Sequence, residues 1–192
     1  MRLKKNFKRK LPFYKRKEFM TYGVGLFIIV IMATSALSMW GGEEEGVEYG
    51  GLTFVETGYG WQAYIGNQKI LISSYPELLE NVTIDSVNFG NLNLMSKIYI
   101  SINPYDGYQQ ALNDFQSNIQ ILPQTVYACY EDNDLCSDMV LKDCDDAVDG
   151  IGVIMFKETN SSNSVTYSGN CLVIEGKDLL SVTDKLIVDY YG

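Results

Sequence analysis

Uncharged residues run unbroken from position 21 to 40, Thr-Tyr-Gly-Val-Gly-Leu-Phe-Ile-Ile-Val-Ile-Met-Ala-Thr-Ser-Ala-Leu-Ser-Met-Trp. A helix of that length, rising about 1.5 Å per residue, spans roughly 30 Å, the thickness of bilayer hydrocarbon. The pattern predicts a transmembrane helix over 21–40, with Trp40 as an interfacial anchor at its outer end. Ala36 and Ser38 ahead of Met39 also suit a signal-peptide cut. The apolar run is longer than the usual signal core of about 7–15 residues, so the segment reads as a retained anchor.

Beyond a short acidic, Gly-rich linker at 41–46, the pattern changes to short alternating runs. Residues 49–56, 61–65 and 68–73, separated by Thr57-Gly58-Tyr59-Gly60 and Gly66-Asn67, predict a three-stranded meander that Pro76 stops. Residues 82–87 are weakly extended, and 97–102 alternate well enough for a strand. Asn103-Pro104-Tyr105-Asp106-Gly107 is turn chemistry. Tyr108, Ala111, Leu112, Phe115, Ile119 and Leu122 then recur at helical spacing up to Pro123. A strand over 124–130 follows, then an acidic Cys-containing loop to Asp149. Residues 151–157 and 164–175 suggest a hairpin around 159–163, and a last helix from Lys177 presents Leu179, Val182, Leu186 and Ile187 inward. The expected fold class is α+β: an N-terminal transmembrane helix, then one mainly antiparallel-sheet exported domain over 47–192 with about two helices.

Charge divides the chain sharply. Residues 1–20 carry nine basic groups against Glu18, about +8; the remaining six basic and 23 acidic groups come to about −17. Positive charge before the span and Glu43, Glu44, Glu45 and Glu48 after it place the N-terminus in the cytoplasm and the C-terminal domain outside a single-pass membrane protein. The expected partners are the lipid bilayer, anionic headgroups for the basic arm, and an envelope component for the exported domain; its negative charge argues against nucleic acid. His is absent, which excludes His-based triads and most zinc enzymes. No cofactor-binding motif occurs, and no cofactor is expected.

Cys129, Cys136, Cys144 and Cys171 all lie beyond the span, and an even count in an exported domain favours two disulfides. Of three pairings, Cys129 with Cys136 and Cys144 with Cys171 are favoured: the first closes a short acidic loop, and the second ties a turn to a later strand. Their C-x6-C-x7-C-x26-C spacing lacks the paired knuckles of zinc ribbons. Leu141-Lys142-Asp143-Cys144-Asp145-Asp146-Ala147, Val153-Ile154, Asn170-Cys171-Leu172-Val173-Ile174-Glu175-Gly176 and the closing helix resemble archaeal single-pass membrane proteins with small exported domains. The resemblance covers 128–192 and implies a Cys144–Cys171 bridge and an archaeal cell envelope, with no activity attached.

Candidate chemistry is sparse. Asp143, Asp145, Asp146 and Asp149 are oxygen donors suited to calcium, but from Asp143 the sixth position is Val148 and the twelfth Ile154, so an EF-hand register fails. Asn81 and Asn160 head acceptor sequons for glycosylation. Tyr59, Trp61, Tyr64, Tyr75, Tyr99, Tyr105 and Tyr108 could line a carbohydrate or peptide surface or simply a sheet face. No catalytic residues are assigned. The leading expectation is a membrane-anchored binding or structural envelope protein; the alternative is an exported enzyme using carboxylates on glycan or peptide, which would need two acids on facing strand ends.

Overall fold

The computed structural model describes the backbone of residues 17–40 and 46–192 and the side chains of 22–35 and 46–192. The basic arm before Lys17 and nearly all of the linker therefore lie outside the described residues. The chain divides into two compact units, Met1–Glu44 and Glu45–Gly192.

In the first unit a helix, α1 (Lys17–Trp40), covers the stretch expected to cross the membrane. Leu26, Phe27, Ile29 and Met32 are each more than 60% exposed. Among the described residues no helix is long and apolar enough to cross a membrane; the side chains of Thr21 and 36–40, part of the expected span, lie outside them.

The second unit is an α+β domain built mostly of sheet. Its small sheet is antiparallel, in the order β1 (Val47–Tyr49), β2 (Leu52–Thr57), β3 (Gly60–Ile65), β4 (Gln68–Ile72). Alternation explains it: Leu52, Phe54, Ala63, Ile70 and Ile72 turn to one face and are buried, whereas Thr53, Tyr64 and Lys69 face out. Gly60 closes the β2–β3 turn at φ 129°, where a Cβ would lie 2.4 Å from the Ile72 carbonyl oxygen, so only glycine fits.

The large sheet has seven strands in the order β5 (Thr83–Ile84), β10 (Ser164–Ser168), β11 (Cys171–Gly176), β9 (Ile151–Glu158), β6 (Lys97–Ile102), β7 (Gln124–Cys129), β8 (Val140–Leu141). Its pairings correct two expectations. Only β10–β11 is antiparallel; β5–β10, β11–β9, β9–β6, β6–β7 and β7–β8 are parallel, so the domain is not mainly antiparallel. The hairpin expected around 159–163 does not form either. β11 inserts between β9 and β10, and the tight turn is Gly169-Asn170. The reason is burial of β9 on both faces: Ile154 and Phe156 point to the helices while Val153 and Met155 lie under the acidic loop, so β9 needs a partner on each side.

Two longer helices, α3 (Gln109–Asn118) and α4 (Leu179–Tyr191), lie between the sheets, and the short α2 (Phe89–Leu92) buries Leu92 close to Gly152 of β9. Ala111, Leu112 and Phe115 of α3 are buried as their spacing predicts, but the helix ends at Asn118 and leaves Leu122 67% exposed. α4 starts where Asp178 accepts the Ser181 amide proton at 3.2 Å. Leu179, Val182, Leu186 and Ile187 are buried as expected, and so are Ser181, Thr183, Asp184 and Val188, because the small sheet covers the face that a two-layer fold would leave wet. Phe115 stands at the centre, edge-on to Phe156 at 5.7 Å and tilted against Phe89 at 6.5 Å.

Candidate functional site

The half-cystines pair Cys129–Cys136 and Cys144–Cys171, and no free cysteine occurs among the described residues. The second bridge pins the 142–147 segment across the face of the large sheet that the helices leave uncovered. Ser101 Oγ, fully buried on that face, donates to the Lys142 carbonyl at 2.5 Å. The acidic loop is thus a cover, and two of its carboxylates, those of Asp143 and Asp146, are bonded within it. Asp143 accepts the Asp145 amide proton at 2.9 Å. Asp146 accepts from the Asp143 amide at 3.2 Å and from Lys142 Nζ at 2.7 Å, and these bonds hold its carboxyl below the usual carboxylate value. Asp149 takes φ 52° at the turn into β9. Among the described residues no group of three or more His, Cys, Asp or Glu converges to hold a metal ion.

The sequence-selected aromatics are not gathered into one surface. Trp61 and Tyr75 meet edge-on at 4.9 Å, Tyr99 lies beneath Lys97 and Lys142, and Tyr108 packs on the core. Tyr59, Tyr64 and Tyr105 are exposed on separate turns and strands. Asn81 and Asn160 are both exposed, the first at the end of the 3₁₀ turn Pro76–Asn81 and the second in the β9–β10 connection.

Two places bring polar groups together without sequence adjacency. The first is the carboxyl end of the parallel strands, where the chain runs from β6 to β7 on one side and returns to β9 on the other. Such a switch in strand order is where open parallel sheets bind ligands. Asp106 follows β6 and Glu158 ends β9, so two acids do stand on facing strand ends. They are bonded inward. Asp106 Oδ2 accepts from Tyr130 Oη at 2.6 Å and the Glu158 amide at 3.0 Å, and Glu158 Oε2 accepts from the Gly107 amide at 2.7 Å. Burial, and then the bond to Asp106, raise the Tyr130 hydroxyl well above the usual tyrosine value.

The second is a cleft of about 710 Å³ between the 84–90 segment and the last turns of α4. Its shape follows from local anchoring. Ile84 pairs with Val165, the Asp85 amide donates to the Val165 carbonyl at 2.9 Å, and Asn88 Oδ1 caps α2 by accepting the Asn91 amide proton at 2.9 Å. Phe89 is thereby buried against Tyr190, edge-on at 4.9 Å, and forms the floor. Asp85, Ser86 and Asn88 line one side, and Leu186, Asp189 and Tyr190 the other. Asp189 is held by Lys185 at 2.6 Å, whereas the Asp85 carboxylate and Ser86 hydroxyl make no hydrogen bond to other described residues. Tyr190 lines the cleft and is 40% exposed. Sequence reasoning missed this site because its two walls lie about a hundred residues apart and neither carries a motif. Asn88 as a helix cap ahead of Phe89 was its one local signal.

No family model matches the chain, and no curated protein or solved structure is similar to it.

Proposed function

We propose that the chain is a membrane-anchored, extracytoplasmic binding protein, held by the 21–40 helix with its basic arm in the cytoplasm and its disulfide-bonded domain outside. The cleft beside α4 carries this reading. Its volume falls in the range of ligand sites, about 300–1,000 Å³, and it combines an aromatic wall with free polar groups. That combination suits a polyhydroxylated envelope component: Tyr190 offers a ring for a sugar face, and Asp85 and Ser86 offer an acceptor and a donor for hydroxyls. Two disulfides favour an oxidising compartment, and the exposed apolar side chains of α1 favour an anchor. The domain holds its ligand without chemical change. Titrating the full chain in detergent with oligosaccharides of the cell envelope tests this: binding that Tyr190→Ala weakens at least tenfold supports the cleft, and binding unchanged by Tyr190→Ala and Asp85→Ala refutes it.

The alternative, a carboxylate-dependent exported enzyme, draws on Asp106 and Glu158 at the strand-order switch. Turnover of glycan or peptide by the purified chain, abolished by Glu158→Gln, would establish that reading in place of pure binding.

A further inference from the structure

α3 and α4 face each other across a pair of acids that the cleft and the acidic loop do not involve. Asp184 on α4 is fully buried. Its Oδ2 accepts two backbone protons from the turn after β4, those of Ser73 at 3.1 Å and Ser74 at 2.7 Å. Its Oδ1 is buried without a hydrogen-bond partner, and so is Oδ2 of Asp114 on α3, the acid that faces it.

Among the described residues no counter-charge pairs with either acid. The turn after β4 contributes the Ser73 and Ser74 amides and the Ser74 hydroxyl. On α4 itself, Lys185 is committed to Asp189 and Asp178 to Ser181 Oγ at 2.6 Å, the latter hydroxyl lying 3.4 Å from Ser74 Oγ. Among the described residues neither Asp114 nor Asp184 forms an ion pair. Two facing carboxylates cannot both stay ionised in such a place, whereas one proton between them turns two orphaned oxygens into a donor and an acceptor.

We propose that Asp114 and Asp184 share a single proton and that this proton is a clasp, fastening α3, α4 and the small sheet to one another and opening when the proton is lost. The small sheet is the element at stake because Asp184 grips it directly through Ser73 and Ser74, next to the point where Asn118 of α3 grips Leu71. Once both acids ionise, like charges push α3 and α4 apart while the Ser73 and Ser74 amides retain only one of the two carboxylates. Ligand binding at the cleft is not needed for any of this.

The test uses the full chain in detergent, followed by infrared carbonyl absorption and by amide hydrogen exchange across the neutral range. The wild type is expected to show a buried carboxylic-acid band that persists to about pH 7. Above that pH the Ser73 and Ser74 amides should exchange at least tenfold faster relative to the Ile98 and Ile154 amides. Asp114→Asn and Asp184→Asn each substitute an amide that can make the same contact without a proton. Asp184→Asn should lose the band and the pH dependence while keeping Ser73 and Ser74 protected, and Asp114→Asn, which leaves Asp184 buried but removes the facing acid, should move both to lower pH. Absence of a protonated carboxyl above about pH 5, where a free aspartic acid is ionised, would overturn the proposal. So would variants whose Ser73 and Ser74 exchange still follows the wild-type pH curve.

Discussion

Replacing Cys144 and Cys171 together by Ala removes the longer of the two cross-links, and its effect can be worked from chain topology. The bridged residues are 27 apart in sequence. In the chain-entropy account, closing a loop of that length in the unfolded chain is worth about 3.6 kcal/mol. The folded state loses little, since the Cys144 side is exposed and the 142–147 segment keeps its bonds from Ser101 Oγ to the Lys142 carbonyl and from the Lys142 amide to the Cys129 carbonyl. For a domain of this size about 3.6 kcal/mol corresponds to a fall in thermal midpoint of roughly 7–14 °C. Guanidinium unfolding of the full chain in detergent, followed by fluorescence, measures it. A loss under about 1 kcal/mol would refute the reasoning, because the unfolded chain would then already be constrained without the bridge.

Asn118→Ala strips β4 of the side-chain amide that gives and takes a proton at Leu71, at 2.8 and 3.0 Å, and should destabilise the domain by about 1–3 kcal/mol in the same unfolding assay. Stability should also depend on pH through Asp184, whose carboxyl is pushed from 3.8 up to about 7, chiefly by burial and against the pull of the Ser74 donors. The folded value lies above the unfolded one, so this contribution is complete below about pH 4 and is lost as pH rises through 7, by about 4 kcal/mol in all. Melting curves across that window should show the fall, and Asp184→Asn should flatten it.

The strands at 97–102 and 60–65 and the inward residues of α4 were legible because each depends on a local period of two or 3.6 residues. What stayed hidden is nonlocal. The 151–157 run reads like half of a hairpin, yet its unbroken apolar stretch is what a strand buried on both faces requires, and β11 rather than β10 sits beside it. Asp184 and Asn118 look like solvent-facing positions on amphipathic helices. They become interior only because the small sheet, formed more than forty residues earlier, closes over α3 and α4. The cleft is hidden for the same reason: Phe89 and Tyr190 are ordinary aromatics until the 84–90 segment is pinned to β10. Leu122 was drawn into the α3 stripe by its spacing, but the helix ends at Asn118 and the chain turns extended at Ile119.

Placement of the domain outside the membrane underlies the whole functional reading, and cysteine accessibility in intact cells tests it most directly. Single cysteines replacing Asn6 in the basic arm and Thr166 on the exposed face of β10 would be challenged with a membrane-impermeant maleimide. The account predicts labelling at position 166 in intact cells and at position 6 only after the cells are opened. Labelling of position 6 in intact cells, with position 166 protected until lysis, would contradict it.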